Sequence, residues 1–321
     1  MPLRRILLIV FLGILAGCER GPSPKPADGK LQVAVIPKGS THIFWKSVEA
    51  GARRAGDEVG ADVLWKSSLK ENDRATQIAI VEQFVSDGVD GIVLAPLDDV
   101  ALLRPVRAAK RKKIPVLIFD SAIKGTYGEE FIGYVGTNNK AGGRMAGEEM
   151  VRMLGGKGKV IVLRYMEGSA STVDREEGFL EVIGRSPEMQ VALSNRFAGG
   201  TMGEAKDAAL NMIDQLREID GVFCSCEPVT LGMMLALQQN GLLPKIKLIG
   251  FDATDKLLEA LAAGDIAALV AQNPTKMGYE SVKTIVAHIR GSPAPESIDS
   301  GAALVTKENM NEPAIREVLG K

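Results

Sequence analysis

The sequence predicts a doubly wound α/β fold with parallel sheets in two lobes. Strand and helix signals alternate with little interruption after residue 30. The strand segments are continuous runs of Val, Ile and Leu, which is typical of parallel strands covered by helices on both faces. These segments are too many for one sheet of usual size, and the length of the chain favours two domains.

The first half opens with the strand "LQVAVIP" at 31–37, an apolar run that Pro37 ends. The next segment places Val48, Ala52 and Val59 on one face, which is the spacing of an amphipathic helix. Later strands are short apolar runs between Gly, Pro and Asp, and later helices have apolar residues three or four positions apart. The other elements predicted in this half are a strand at 61–67, a helix at 73–88, a strand at 90–96, a helix at 99–112 and strands at 114–120 and 131–137.

The second half repeats the alternation by the same criteria. Helices are predicted at 139–154, 172–185, 202–218, 228–240, 254–263 and 275–290. Strands are predicted at 159–165, 189–195, 221–226, 246–252 and 266–272, with two short strands near 297–306. This regularity is typical of a doubly wound α/β protein.

The first 30 residues stand apart from this alternation. Residues 1–17 carry Arg4 and Arg5, continue with an apolar run at 6–14 and end in small residues before Cys18. This order is typical of a secretory signal peptide, and the run is about half of the ~20 residues that cross a bilayer. The ending "LAGC" resembles the lipobox of bacterial lipoproteins, which implies cleavage before Cys18 and lipid on that residue. The alternative is an ordinary secretory signal with an incidental cysteine.

Residues 18–30 are predicted to be a disordered tether. The stretch "ERGPSPKPADGK" is polar and rich in proline, so it gains little by packing. As a flexible coil it would span on the order of 20 Å. We therefore expect a folded domain held at a bacterial membrane through Cys18, in the periplasm or at the cell surface.

Composition excludes several classes of protein. The chain is 45% hydrophobic and 25% charged, with a net charge of −1, so it has no basic excess that would indicate nucleic-acid binding. Cys224 and Cys226 are separated by one residue, which is a poor spacing for a disulfide. They would share one face of a strand, but no matching cysteine pair exists, and His288 belongs to a distant predicted helix. We therefore expect neither a metal site nor a cofactor.

The residues that follow the strands are the candidates for a ligand site, because open parallel sheets bind ligands beyond the carboxyl ends of their strands. Carboxylates and amides accept hydrogen bonds from hydroxyl groups, arginine donates two in a plane, and aromatic faces lie against the C–H faces of sugars. These side chains predict an uncharged, polyhydroxylated ligand. They are Phe44, Trp45, Asp120, Arg175, Asp252, Gln272 and Asn273.

Several motifs, taken in order, resemble the periplasmic sugar-binding proteins of ABC importers, in particular the ribose/galactose type. They are "HIFWKSVEAGARRAG", "DGIVLAPLD", "IPVLIFDS", "VGTNNKAGGRMAGE", "DREEGF", "LIGFDAT", "AQNPTKMGYESV" and "VTKENM". The resemblance covers nearly all of residues 31–310. It implies the type I periplasmic binding protein fold, in which two lobes close around a ligand by hinge motion and the permease recognises the closed shape.

The resemblance also implies where the lobes divide. The family has a hinge of three strand crossovers, which would fall here near 136–138, 272–274 and 300–301. The expected N-terminal lobe is 31–136 plus 273–300, and the expected C-terminal lobe is 137–272 plus 301–321. We expect a monomer that delivers a sugar or polyol to the transmembrane subunits of an ABC permease.

Position by position, the resemblance implies roles for the first candidates. Phe44 and Trp45 match an aromatic pair that would sandwich the sugar. Asp120 matches an acid that binds ring hydroxyls, and Arg175 matches an arginine that reaches the ring oxygen. The residues alone leave other interpretations open: the aromatic pair could be core, Asp120 a helix cap, and Arg175 a surface residue.

The second half supplies three further candidates. Phe251 and Asp252 match an aromatic–acid pair, and Gln272 matches an amide near the hinge. Asp252 could instead only cap the helix that "FDAT" opens.

Three positions depart from the pentose binders of the family. His42 and Cys226 stand where asparagine is usual, and Ser121 stands where a second arginine is usual. His42 could also be merely solvated. Because a site built for particular hydroxyls rejects analogues strongly, we do not expect the ligand to be bound as ribose is.

Three other functions would each need features of their own. An NAD-dependent enzyme would need G-x-G-x-x-G after the opening strand, and a hydrolase would need a histidine beside a serine; neither pattern is present, so we expect no enzyme. A transcription regulator would need a helix-turn-helix that the first 30 residues cannot supply. A receptor that passes a sugar or autoinducer signal to a chemoreceptor or sensor kinase remains open.

Overall fold

Two six-stranded sheets, each covered by helices, form the computed structural model, which describes residues 29–320. The predicted doubly wound α/β fold is therefore confirmed. The predicted signal peptide at 1–17, Cys18 and nearly all of the predicted tether lie outside the described residues. In the part of the chain that the structure describes, no helix is both long and apolar enough to span a membrane.

Strands and helices alternate as the sequence predicts. The strands are β1 (Leu31–Ile36), β2 (Ala61–Trp65), β3 (Gly91–Leu94), β4 (Val116–Phe119), β5 (Tyr134–Gly136), β6 (Lys157–Arg164), β7 (Glu188–Phe197), β8 (Gly221–Cys224), β9 (Lys247–Phe251), β10 (Ala268–Gln272), β11 (Ser297–Asp299) and β12 (Ala302–Val305). The helices are α1 (Ile43–Val59), α2 (Arg74–Asp87), α3 (Leu103–Arg111), α4 (Asn139–Met153), α5 (Ala170–Gly184), α6 (Met202–Leu210), α7 (Ile213–Leu216), α8 (Glu227–Gln239), α9 (Asp255–Ala263), α10 (Pro274–Ile289) and α11 (Pro313–Val318).

The two sheets have equivalent strand orders and differ in the direction of one edge strand. The first has the strand order β11-β5-β4-β3-β1-β2, and the second has the order β12-β10-β9-β8-β6-β7. Their strand pairs are parallel except that β12 is antiparallel to β10. The prediction of parallel strands is wrong for β12, because β12 enters the second sheet with Ala302 beside Gln272, the last residue of β10, and runs back along that strand.

The chain passes between the sheets three times: after β5, after β10, and between β11 and β12. We call the half built on the first sheet, with α1, α2, α3 and α10, the N-lobe. The other half, with the second sheet and the remaining helices, is called the C-lobe. The residue limits expected for the lobes, 31–136 plus 273–300 and 137–272 plus 301–321, stay a prediction.

Glycine allows one close helix crossing in each lobe. In the N-lobe, a Cβ on Gly51 of α1 would lie 2.0 Å from the carbonyl oxygen of Thr275 in α10. In the C-lobe, a Cβ on Gly143 of α4 would lie 2.0 Å from the carbonyl oxygen of Arg175 in α5. The second crossing fixes the helix that carries Arg175, one of the predicted site residues.

Three local differences from the prediction have physical causes. Helix α3 begins at Leu103 rather than 99, because the Asp98 carboxylate accepts the backbone N–H groups of Val100 and Ala101 and holds them in a turn. The helix predicted at 202–218 is broken between α6 and α7, where Met212 is buried in the core. Helix α11 was not predicted; its short apolar pattern packs onto β12.

Candidate ligand-binding site

A cavity with about 360 Å³ of empty space, including space open to solvent, lies between the lobes, at the carboxyl ends of strands from both sheets. Parallel sheets place such sites there, because the loops after several strands meet at one edge. Eight of the ten predicted site residues line it: His42, Phe44, Trp45, Asp120, Arg175, Cys226, Asp252 and Gln272. That these side chains bind a ligand stays a prediction.

Ser121 and Phe251, the other two predicted residues, lie behind the cavity wall. The Ser121 hydroxyl accepts the backbone N–H of Ser171 at 3.1 Å, which is a contact between the lobes. The Phe251 ring lies under the Arg175 guanidinium, with 3.9 Å between Cζ and the ring centroid. Both residues support neighbours that line the cavity.

Asp120 and Asp252 occupy equivalent positions in the two lobes. Asp120 follows β4, Asp252 follows β9, and both have left-handed backbones, with φ of 60° and 71°. Non-glycine residues rarely adopt this conformation, and it is typical of functional sites. Asp252 does not cap its own helix: Thr254 has the N-cap position of α9, whereas the Asp252 carboxylate accepts the N–H of Glu227 at 2.8 Å.

Arg175 is held from three sides. It is 3% exposed on α5, so the surface interpretation is wrong. Its Nε donates to Asn139 Oδ1 at 2.8 Å, its Nη1 donates to the Ser225 carbonyl at 3.0 Å, and its plane rests on Phe251. A guanidinium fixed in this way can present donors to the cavity in a defined plane.

Gln272 connects the crossovers to the cavity. Its Oε1 accepts the Thr137 hydroxyl at 2.7 Å, and its Nε2 donates to Asp252 Oδ1 at 2.7 Å. Thr137 belongs to the first crossover and lies 3.4 Å from the hydroxyl of Ser300 in the third. The orientation of Asp252 is thereby linked to all three crossovers.

The aromatic pair does not form a sandwich. The rings of Phe44 and Trp45 contact each other edge to face, with centroids 5.0 Å apart and an angle of 85° between planes, so no sugar ring fits between them. Trp45 is 4% exposed and also packs against Phe119 in the core. The expected sandwich is wrong, because consecutive residues of a helix point about 100° apart.

Lys38, which sequence reasoning missed, pairs with a predicted residue. Its Nζ lies 3.1 Å from the Asp120 carboxylate, and both side chains are about 95% buried. The same Nζ donates to the Ser171 hydroxyl at 2.9 Å and lies 3.4 Å from the Ser169 hydroxyl, both in the C-lobe. Lys38 follows β1, so the strand-end rule could have found it.

Glu71, also missed, joins the lobes. It accepts hydrogen bonds from Trp45 Nε1 at 2.6 Å and, across the cleft, from the Tyr165 hydroxyl at 2.8 Å, and it pairs with His42 Nδ1. Burial alone would raise the pKa of Glu71, but His42 and Lys38 outweigh it and lower the pKa to about 2. Burial alone would lower the pKa of His42, but Glu71 outweighs it and raises the pKa.

Glu227 completes the acidic side of the cavity. Burial and the nearby Asp252 carboxylate raise the pKa of Glu227 to about 7, against the opposing charge of His42. Burial also raises the pKa of Asp252, although Arg175 and Gln272 oppose it. The sequence pattern pointed to this strand end but selected Cys226 instead of Glu227.

The remaining lining residues that the sequence did not indicate are Tyr165, Ser171, Thr172 and Pro228.

Cys226 lines the cavity as a neutral thiol, because burial and the Asp252 charge raise its pKa. Cys224 and Cys226 are both free and buried. Among the described residues, no cluster of three or more His, Cys, Asp or Glu could hold a metal ion. The arrangement therefore offers hydrogen-bond donors and acceptors from both lobes.

Comparison with known proteins gives consistent similarities. A family model described as "Periplasmic binding protein domain" matches residues 33–293. The ribose import binding protein RbsB of Haemophilus influenzae is 28% identical over 77% of this chain and 82% of its own length. The D-allose-binding periplasmic protein of Escherichia coli is 26% identical over 86% of this chain and 89% of its own.

Solved structures agree with these relatives. The periplasmic component of an ABC-type sugar transport system from Hahella chejuensis has a TM-score of 0.82 and 33% identity, covering 86% of this chain and 99% of that one. A carbohydrate transporter solute-binding protein from Agrobacterium radiobacter, in complex with D-arabinose, has a TM-score of 0.86 and 32% identity, covering 90% and 99%.

Proposed function

The chain belongs to the periplasmic binding protein family, and from that membership we propose that it captures a sugar or sugar-like ligand between its lobes and delivers it to an ABC import permease. The family is one of substrate-binding proteins, and the predicted type I periplasmic binding protein fold is confirmed by the similar solved structures. The mechanism is reversible capture by hinge closure, with no chemistry on the ligand.

One observation carries the proposal: both lobes contribute hydrogen-bonding side chains to a single cavity between them. Asp120 and Lys38 come from the N-lobe, and Arg175, Asp252 and Gln272 come from the C-lobe or its crossover. A ligand with many hydroxyl groups can pair with both sets only when the lobes are together. The ligands in the names of similar proteins, ribose, D-allose and D-arabinose, have this character.

Transport is favoured over signalling. The ribose relatives are named as import binding proteins, and the similar structures are named as components of sugar transporters. We further propose that the protein is a monomer in the periplasm or at the cell surface, held by lipid at Cys18. This rests on the signal-like residues 1–17 and the lipobox-like ending.

A thermal-shift screen over pentoses, hexoses, polyols and autoinducer-type furanoses tests the sugar proposal. A ligand at about 100 times its Kd stabilises the folded protein by about 2.7 kcal/mol, which raises the melting temperature by several degrees. Hits are then measured by calorimetry. The proposal is wrong if no carbohydrate stabilises the protein and an amino acid, purine or metal ion does.

Asp252→Ala tests whether the cavity is the binding site. The variant is expected to fold but to lose ligand-induced stabilisation, because Asp252 accepts hydrogen bonds that align Gln272 and the start of α8. Asp265→Ala is the matched control, since this C-lobe carboxylate bonds to Gln238 on the exposed surface. Equal stabilisation of both variants by the same sugar would place the site elsewhere.

A further inference from the structure

A second cavity, with about 490 Å³ of empty space, adjoins the ligand cavity. The two cavities share Phe44, Asp252 and Gln272 as lining residues. The two cavities are therefore neighbours. The second cavity lies between Ile43 at the start of α1 and Thr254 before α9, so it also has walls from both lobes.

The walls of the second cavity fit an uncharged group. Among the described residues that line it, Asp252 is the only ionisable one, and its carboxylate already accepts hydrogen bonds from Gln272 and Glu227. Much of the remaining wall is aliphatic, including Val318 and Leu319 at the end of the C-terminal helix. A charged group would lose hydration there without gaining a partner of opposite charge.

Thr254, which lines the second cavity, has an unpaired hydrogen-bonding group. The residue is 9% exposed, and its Oγ1 is buried without a hydrogen-bond partner. Thr254 has the N-cap position of α9, where threonine usually accepts a backbone N–H, but its side chain makes no capping bond. Buried hydroxyls are nearly always paired, so an unpaired one beside a cavity indicates a group that a ligand would satisfy.

We propose that the second cavity is a subsite for a ring-sized, uncharged substituent on the sugar, and that the preferred ligand is accordingly a glycoside. The inference rests on the proposed function and names the class of sugar derivative. The empty space at the second cavity, about 490 Å³ including space open to solvent, exceeds the about 360 Å³ found in the same way for the first. Phe44, which lines both cavities, lies where the two rings of such a ligand meet.

The test compares paired glycosides by calorimetry. The probes are the methyl and p-nitrophenyl glycosides, in both anomers, of D-glucose, D-galactose, D-xylose and L-arabinose. For at least one pair, the p-nitrophenyl glycoside is expected to bind about tenfold tighter than the methyl glycoside, which corresponds to about 1.4 kcal/mol. The aromatic ring buries apolar area that a methyl group cannot.

Two variants test whether the second cavity causes the tighter binding of p-nitrophenyl glycosides. Leu319→Asp introduces a charge into its wall, and Thr254→Val removes the unpaired hydroxyl while keeping the shape of the side chain. Each variant is expected to reduce the ratio of p-nitrophenyl to methyl glycoside affinity by about threefold or more. The affinity for the methyl glycoside is expected to stay within about twofold of the wild-type value. Val191→Asp, on an exposed aliphatic residue of β7, is the control.

The outcomes separate this inference from the proposed function. If free sugars or methyl glycosides bind and every p-nitrophenyl partner binds equally or more weakly, the subsite is wrong and the proposed function stands. A preference that neither Leu319→Asp nor Thr254→Val reduces also overturns the subsite. If no carbohydrate binds at all, the proposed function fails, and the subsite fails with it.

Discussion

The hydrogen bond between Tyr165 and Glu71 provides a direct perturbation of lobe closure. Tyr165 belongs to the C-lobe and Glu71 to the N-lobe, and the tyrosine hydroxyl donates to Glu71 Oε2 at 2.8 Å in a buried setting. Tyr165→Phe removes this donor and keeps the ring. Because the bond forms only when the lobes are together, its loss is expected to weaken ligand binding more than it weakens folding of the free protein.

The magnitude follows from the charge and burial of the acceptor. A hydrogen bond to a charged group contributes about 1.5–3 kcal/mol to stability. Every 1.4 kcal/mol corresponds to about tenfold in affinity, so the Kd for a sugar is expected to rise roughly 10- to 150-fold. The melting temperature of the ligand-free protein is expected to change little if the free protein is mostly open.

The assay is calorimetry with the sugar that stabilises the wild type most strongly. Tyr279→Phe is a matched control, since the Tyr279 hydroxyl donates to Glu58 at 2.6 Å, but that bond is exposed and lies within the N-lobe. Loss of this exposed hydrogen bond should leave the Kd for the sugar within about twofold of the wild-type value. Tyr165→Phe binding as tightly as Tyr279→Phe would refute the conclusion that this bond stabilises the closed state.

The remaining predictions concern protonation, packing and the anchor. Folding raises the pKa of Glu227 from 4.5 to about 7, so this carboxyl group takes up protons on folding. The stability that this proton uptake provides at low pH is lost as the pH rises from 4.5 to about 7. In denaturant titrations across this pH range, the free energy of unfolding of Glu227→Gln should fall by up to about 3 kcal/mol less than that of the wild type. Gly143→Ala would place a Cβ 2.0 Å from a backbone oxygen of α5 and should lower the melting temperature by several degrees. In the control Gly184→Ala, the Cβ meets nothing within 4 Å, and the melting temperature should change little. Equal melting temperatures of the two variants would contradict the close crossing of α4 and α5. Cys18→Ser should abolish incorporation of labelled fatty acid in cells, and normal lipidation would disprove the anchor.

The order of strands and helices was predictable because most strands are continuous apolar runs and most helices have their own apolar period. Features that depend on the chemistry of one side chain were not predictable, such as the turn held by the Asp98 carboxylate, which shortens α3. Nothing before residue 302 indicates that β12 runs antiparallel to β10 in the second sheet. Helix α11 was missed because its stability comes from contact with β12 rather than from its own six residues.

The candidate site was partly predictable for a similar reason. The strand-end rule brings Asp120, Arg175 and Asp252 to one cavity, since the parallel strands of each sheet end at the edge that faces this cavity. Contacts such as Glu71 with Tyr165 depend on how the lobes meet, which no local pattern of one lobe specifies. The sandwich expected from the family resemblance is wrong for Phe44 and Trp45, because adjacent residues of a helix point in different directions.

Small-angle X-ray scattering, with and without a saturating sugar found by the screen, tests the central claim most directly. Capture between lobes predicts that the radius of gyration falls when the sugar is added and reaches the value calculated from this closed structure for residues 29–320. A sugar that binds by calorimetry while the radius of gyration stays unchanged and larger than that value would contradict capture by closure.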